Sequence, residues 1–475
     1  MTPIMPQIKH VVHLMLENRS LDNVLGWLYA DTNNRPPVNL IDVQNPPVYN
    51  GLETTFYNLD AENNQHFVGT TPAGNTTIPP LDPQEIFQHV HTQCYTPLQG
   101  GPPAASPEMG GFYLDYANSF AGPVGSADDI MMAYPPESLP VLNGLARNYA
   151  VCDKWFASVP SQTFCNRAFA ATGNSIGTNW LTKESQAWVN NSLFMDFTSP
   201  THWNVLSENN CDTPDHWMIY YSELWFLSTK FCFTRDLFTS LQDSSFDQHF
   251  AGIESFYAQA ANGTLPAYSF LEPDWGLKFW KLGINGNDYH PPCNVSSGEA
   301  FVQQVYNAIS QGPGWNETLL IITFDEHGGT YDHYPINTNA TPPWGQSTPP
   351  VCECDFGFDT FGVRVPAVFI SPWIQQGVVF RQPEGSIPFD HTSIIATVLN
   401  WMQVDPDKWN LGERVANAPT FEGILNLTTP RTDLSDIQIK ANPSNDATQT
   451  MPVSDLQMLI TARAWRHAAD LNKHL

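Results

Sequence analysis

Positive charge is scarce in this sequence. Its 475 residues hold 20 Lys and Arg against 47 Asp and Glu, a net charge of −27. Such a chain repels a nucleic-acid backbone on average, and a strongly anionic membrane surface for the same reason. Nucleic acid is therefore not expected as a partner. Only 14% of residues are charged, so the imbalance comes from missing bases and not from a solvated acidic tail. Long hydrophobic runs are missing too. None reaches the roughly 18 residues of a membrane helix, and the apolar run at 317–324 has the length of a strand. Repeats and low-complexity tracts are absent. The start, MTPIMPQIKHVV, has no basic segment followed by a long apolar stretch, so no signal peptide is read there. The eight cysteines, at 94, 152, 165, 211, 232, 293, 352 and 354, are scattered. Cys352-Glu353-Cys354 is too tight for a zinc knuckle, and no second pair stands nearby. Their even number favours disulfides over buried free thiols. Cysteine count and acidity lean towards a secreted or periplasmic protein; the missing signal peptide leans towards a cytoplasmic one.

What the chain does have is ample core material, with 42% of residues hydrophobic and 12% aromatic. Residues 8–16, IKHVVHLML, read as a buried strand. Residues 30–130, rich in Pro, Asn, Gly and Thr, read as a long loop excursion with a short helix near 83–93. The spacing of Leu139, Val141, Leu142 and Leu145 predicts a helix over 138–149. A strand follows over 150–158, then a helix over 166–172 stopped by Gly173. A further helix is expected over 246–261, opening at Asp247. Strands are expected at 316–326 and 362–373, and a helix over 390–402 with Asp390 as its N-cap. The tail 431–454 reads as loose and polar, and 454–471 as an amphipathic helix. Apolar strands alternating with helices argue an α/β fold with a mostly parallel sheet, in which functional groups collect at the strands' carboxyl ends.

Two strands end on acids. The first runs into Glu17-Asn18 and the strand 316–326 into Asp325-Glu326. Three carboxylates and an amide oxygen on one spot would repel one another without a cation. An all-oxygen set favours a hard divalent ion such as calcium, magnesium or manganese. The alternative is that each acid caps a helix or pairs with Arg. Thr163 stands just before a helix start, where a phosphate is favoured and where a metal could activate the hydroxyl; the alternative is a capping threonine. Arg167 suits either a phosphate clamp or an ion pair. Proton transfer needs an imidazole, and His290, His327, His333, His391, His216, His89 and His91 all stand in loops or beside acids.

Five segments in order, ENRSLDN (17–23), SVPSQTFCNRAFAATGNS (158–175), TFDEHGGTYDH (323–333), FGVRVPAVFISPW (361–373) and FDHTSIIATVL (389–399), resemble the phosphoesterase family of non-specific phospholipases C and a bacterial acid phosphatase. The resemblance runs from about 8 to about 402. It implies a three-layer α/β/α core like that of alkaline phosphatase, with a catalytic domain over 1–405 and a C-terminal extension over 406–475. It implies one divalent metal held by Glu17, Asn18, Thr163, Asp325 and Glu326. Thr163 would attack phosphorus to form a phospho-enzyme. His290 would contact the phosphoryl group beside Arg167, with His216 and His327 as candidates for proton transfer. The implied substrate is a phospholipid or a small phosphate ester, met in the lipid case by transient contact with a membrane surface. Two features depart from the family pattern. Where the family reads Gly-Pro-Thr-x-Pro-Asn-Arg, this chain has Ser161-Gln162-Thr163-Phe164-Cys165-Asn166-Arg167, so the loop must be held in another way, with Cys165 a candidate. Glu85 stands where the family's Asp-Pro-Gly-His motif has its histidine.

Overall fold

The computed structural model describes residues 4–31, 35–120, 125–226, 229–277, 283–433, 439–442 and 451–472. Nine strands form its main sheet: β1 (His10–Leu16), β2 (Val38–Ile41), β3 (Ala150–Cys152), β4 (Trp217–Tyr221), β5 (Phe250–Gly252), β6 (Tyr268–Leu271), β7 (Thr318–Phe324), β8 (Ala367–Ile370) and β9 (Val378–Arg381). Their order across the sheet is β5-β4-β6-β1-β7-β8-β3-β9-β2. Every neighbouring pair is parallel except the two made by β8, which runs against β7 and β3. The central strands β1 (HVVHLML) and β7 (TLLIITF) are buried along nearly their whole length. That explains their near-continuous apolar sequence, since a strand covered on both faces has no polar side.

The helices α1 (Pro140–Asn148) and α3 (Val295–Ser310) pack on each other, as do α2 (Thr163–Thr172) and α4 (His391–Trp401). Both pairs share one hydrophobic core with the strands. This is the expected α/β fold with a mostly parallel sheet. The last helix, α5 (Asp455–Asn472), joins the same core through Leu456, Ile460 and Ala464. Its buried Arg463 donates from Nε to Asp236 at 2.6 Å. Among the described residues, no helix is long and apolar enough to cross a membrane.

Several local expectations are corrected. The strand expected over 150–158 breaks after Cys152. A separate short strand, Trp155–Phe156, pairs with Phe389–Asp390. The α-helix expected over 246–261 begins only at Ile253: Ser244–His249 form a 3-10 turn, and Phe250–Gly252 enter the sheet as β5 beside β4. The excursion over 30–130 is more ordered than its composition suggests. It holds helices Phe87–Tyr95 and Phe112–Ser119 around a small core of its own that includes Val90, Phe112, Ile130 and Met131. Much of the tail 431–454 lies outside the described residues. All eight cysteines are free thiols. Cys352 and Cys354 share one short turn, where the Cys354 sulfur faces Gln88 at 3.2 Å.

Candidate active site

Strands β1 and β7 pair in parallel register from His10↔Thr318 to Leu16↔Phe324. The next residues on each strand, Glu17 and Asp325, therefore emerge side by side at the carboxyl edge of the sheet. The Asp325 amide donates to Leu16 O at 3.2 Å, and the Glu17 amide to Asp288 O at 2.7 Å. The chain turns sharply at Asn18, whose φ of 44° is left-handed, a region asparagine tolerates better than most residues. The Asn18 amide donates to Asp325 Oδ1 at 3.3 Å. The loop after Glu326 crosses this turn so closely that a Cβ on Gly328 would lie 2.1 Å from Asn18 O. Only glycine, at φ +63°, fits there.

Helix α2 brings the hydroxyl. Thr163 is its first residue, is fully buried, and donates to Glu17 Oε2 at 3.1 Å and Asn18 Oδ1 at 3.3 Å. One turn later, Arg167 donates from Nε to Glu17 Oε1 at 2.7 Å and pairs with the same oxygen through Nη2. It also lies 3.8 Å from Asp325 and stacks over Trp275. The loop before α2 is held mainly by Asn166, while Cys165 adds a weaker contact from Sγ to Asn190 O at 3.7 Å. The Asn166 carboxamide accepts from Val159 N at 3.0 Å and donates to Ser161 O at 2.8 Å. Asn191 adds a brace, accepting from Phe164 N at 2.8 Å.

The electrostatics suit a cation. Burial pushes the Glu17, Asp325 and Glu326 carboxyls above the usual carboxylate range; Asp325 raises Glu326 further, while Arg167 pulls Glu17 and Asp325 back. Burial opposes the charge on Arg167, but Glu17 and Asp325 more than offset it, so its guanidinium is held more firmly protonated than usual. Asp325 Oδ2, Glu326 Oε1 and Arg167 Nη1 are buried without a hydrogen-bond partner. Unpartnered carboxylate oxygens at this depth are costly unless a cation or a ligand completes them. The donors on hand are oxygens, so the residues present fit a hard divalent ion.

The histidines separate clearly. His290 is buried; its Nδ1 bonds Pro291 O at 2.5 Å and its Nε2 has no partner. Burial pushes it down to about 3, so it is neutral. His327 is engaged at both nitrogens, Nδ1 lying 3.2 Å from Glu326 Oε2 and Nε2 2.8 Å from Gln93 Oε1. It orients Glu326 and does not face Thr163. His391 donates from Nε2 to Asp325 O at 2.6 Å, bracing the end of β7. His216 is a correction. It precedes β4, whose Trp217 is level with Tyr268 and, through it, with Val11. His216 is thus level with His10, seven residues below Glu17 on β1. At about 3.3 Å per residue that is roughly 23 Å, at the opposite edge of the sheet. Its Nδ1 meets Thr213 Oγ1 at 2.8 Å. His333 pairs with Asp22, and His89 with Asp115, both away from the Thr163 contacts.

Two site residues were not among those expected. Glu85 accepts from Asn18 Nδ2 at 3.0 Å, and Asp82 stands 3.6 Å from His290 Nδ1. The one sequence signal for them was the Asp82-Pro83-Gln84-Glu85 stretch, read only as a departure from a motif.

The phosphoesterase family model matches residues 8–405. The chain is 35% identical over 432 residues to non-specific phospholipase C6 of Arabidopsis thaliana, covering 90% of this chain and 74% of that protein. It is 25% identical over 429 residues to phospholipase C B of Mycobacterium tuberculosis, covering 82% of this chain and 72% of that protein. A solved protein in the alkaline phosphatase superfamily from Vibrio parahaemolyticus aligns over 72% of this chain and 82% of its own, at 11% identity and a TM-score of 0.31. That last likeness is too loose to carry an argument.

Proposed function

The chain belongs to the phosphoesterase family and is a phosphoric ester hydrolase, and from that premise we propose that it is a phospholipase C that works through a Thr163 phospho-enzyme. The supporting observation is the meeting of Glu17 and Asn18 on the Thr163 hydroxyl at the start of α2, with Asp325 bonded to the Asn18 amide beside them. The similarity to phospholipases C over most of the chain favours a glycerophospholipid substrate such as phosphatidylcholine. Such a substrate lies in a membrane, so transient surface contact is part of the proposal.

A divalent cation bound by Glu17, Asn18, Asp325 and Glu326 beside Thr163 would neutralise phosphoryl oxygens and favour the threonine alkoxide. The rest falls to the chain's own groups. Glu17 Oε2 holds the Thr163 hydroxyl proton, leaving oxygen lone pairs free for attack. The Oγ–P bond forms as the bond from phosphorus to the glycerol oxygen breaks, and the proton given up by Thr163 passes to that oxygen as diacylglycerol leaves. Water then cleaves the phosphothreonine, restoring the hydroxyl and releasing the phosphorylated head group. Arg167 fixes Glu17 and keeps Nη1 free, placed to donate to a phosphoryl oxygen. Burial of Thr163 and Arg167 keeps bulk water from the phosphothreonine.

The test compares p-nitrophenyl phosphorylcholine and phosphatidylcholine vesicles with p-nitrophenyl phosphate. Diester turnover should dominate, and acid quench should trap one phosphoryl group on Thr163. In Thr163→Ala the trapped group should vanish and the rate fall at least ~10³-fold. Dominant monoester cleavage would instead make the protein a phosphatase. A Thr163→Ala rate near that of the parent would remove the nucleophile assignment.

A further inference from the structure

We propose that Asp82, Glu85 and His290 form a second divalent-cation site beside the Glu17–Asp325 cluster, whose mixed oxygen and nitrogen ligands accept Mn²⁺. One ligand atom from each lies within 4.8 Å of the other two. His290 Nε2 is 3.7 Å from Glu85 Oε1, and its Nδ1 is 3.6 Å from Asp82 Oδ1. His290 is 1% exposed, and its Nε2 has no hydrogen-bond partner; Asp82 Oδ1 has none either. The tautomer follows from chemistry. A carbonyl only accepts, so the Pro291 contact puts the proton on Nδ1 and leaves the Nε2 lone pair facing Glu85. An imidazole with one N–H tied to a carbonyl and the other nitrogen free is the form that ligates metals. The carboxylates are anchored as well. Asp82 Oδ2 accepts from the Asp455 amide at 2.8 Å, at the start of α5, and Glu85 Oε1 accepts from Asn18 Nδ2 at 3.0 Å.

A second trio, Asp22, Asp332 and His333, shows what a satisfied cluster looks like. There the buried Arg364 supplies the positive charge, donating to Asp22 Oδ1 at 3.0 Å and Asp332 Oδ1 at 2.9 Å. Among the described residues, Asp82 and Glu85 have no Lys or Arg within ion-pairing distance. Arg19 is the nearest cation by its influence on Asp82, but its Nε and Nη1 are spent on Tyr289 O, Ile78 O and Asn23. Two carboxylates and one imidazole make a mixed oxygen and nitrogen set, which suits manganese or zinc better than calcium. Three protein ligands leave a position open for water or a phosphoryl oxygen. Glu85, bonded to Asn18, would link this ion to the first. The proposal rests on the phosphoesterase reading of that neighbouring cluster, and it gives His290 the role of ligand in place of direct phosphoryl contact.

The experiment uses the full chain, stripped with chelator and titrated with Mn²⁺ by calorimetry, with bound metal counted by elemental analysis. The expected parent count is two per chain. Asp82→Asn and Glu85→Gln should each weaken one of the two sites at least ten-fold and leave the other, while Asp325→Asn should remove the other. Circular dichroism confirms that each variant is folded. A parent count of one, lost in Asp325→Asn and kept in Asp82→Asn, overturns the second site and leaves the first standing. A parent count of one, lost in Asp82→Asn and kept in Asp325→Asn, overturns the two-site proposal and the first site's assignment with it. A count of two unchanged by Asp82→Asn and Glu85→Gln overturns it as well.

Discussion

Replacing Arg167 by methionine keeps most of the side chain's volume and removes its charge. In the parent, Arg167 is 4% exposed, donates to Glu17 at 2.7 Å and to Met15 O at 3.2 Å, and lies 3.8 Å from Asp325. Removing one partner of a buried ion pair costs about 3–5 kcal/mol, because the remaining charge stays buried and unpaired. In the metal-free protein the variant should lose about that much. A divalent cation on Glu17 and Asp325 would return positive charge to the same carboxylates. In saturating Mn²⁺ the loss should then shrink to about 1.5–3 kcal/mol, the scale of a lost hydrogen bond to a charged group. Urea unfolding of parent and variant, each with chelator and with Mn²⁺, measures both differences. pH supplies a second readout. Burial already raises the Glu17 carboxyl, and Arg167 holds it down, so the variant raises it further. An acid raised in the folded state stabilises below its unfolded pKa, about 4.3, and that contribution is lost as pH rises through the folded value. In chelator the variant should therefore lie closest to the parent near pH 4–5 and fall behind towards pH 8. Equal losses with and without Mn²⁺ would refute the sharing of Glu17 between guanidinium and cation.

The metal-free parent should itself lose stability as pH rises from about 4 to 8, since burial raises Glu17, Asp325, Glu326 and Glu85; thermal unfolding should show that slope, and saturating cation should flatten it. Arg364→Met leaves Asp22 and Asp332 buried without their guanidinium and should cost about 3–5 kcal/mol. Thermal unfolding in chelator measures the loss, and one below about 1 kcal/mol would contradict a guanidinium that neutralises both buried carboxylates. His216→Ala should keep diester hydrolysis within about two-fold of the parent, as expected of a surface position remote from the site; a ten-fold loss would place that histidine in the chemistry after all.

Some of this was legible along the chain. A near-continuous apolar run that stops on acids reads as a buried strand with its ligands at the end, and both IKHVVHLML and NETLLIITFDE fold that way. Glycine after residue 172 ended α2 as expected, in a left-handed cap at φ 72°. These signals are local, set by burial pattern and backbone preference within a few residues. The disulfide expectation failed because pairing depends on where two cysteines come to lie in space, which their spacing does not reveal. The helix expected over 246–261 is interrupted at Phe250–Gly252, which pair with β4 as β5, a contact made across the fold.

Residue types and strand ends settled, from sequence alone, that oxygen donors and a threonine hydroxyl were on hand in an α/β frame. That Leu16 lies level with Phe324, so that Glu17 and Asp325 emerge together, was decided by a register between strands some 300 residues apart. The sorting of the histidines was decided there as well. His216, His290 and His327 all stand beside polar neighbours in sequence. Which edge of the sheet each occupies, and which ring nitrogen is left without a partner, follows only once distant segments close around them, because a side chain's chemistry is set by the groups that surround it in space.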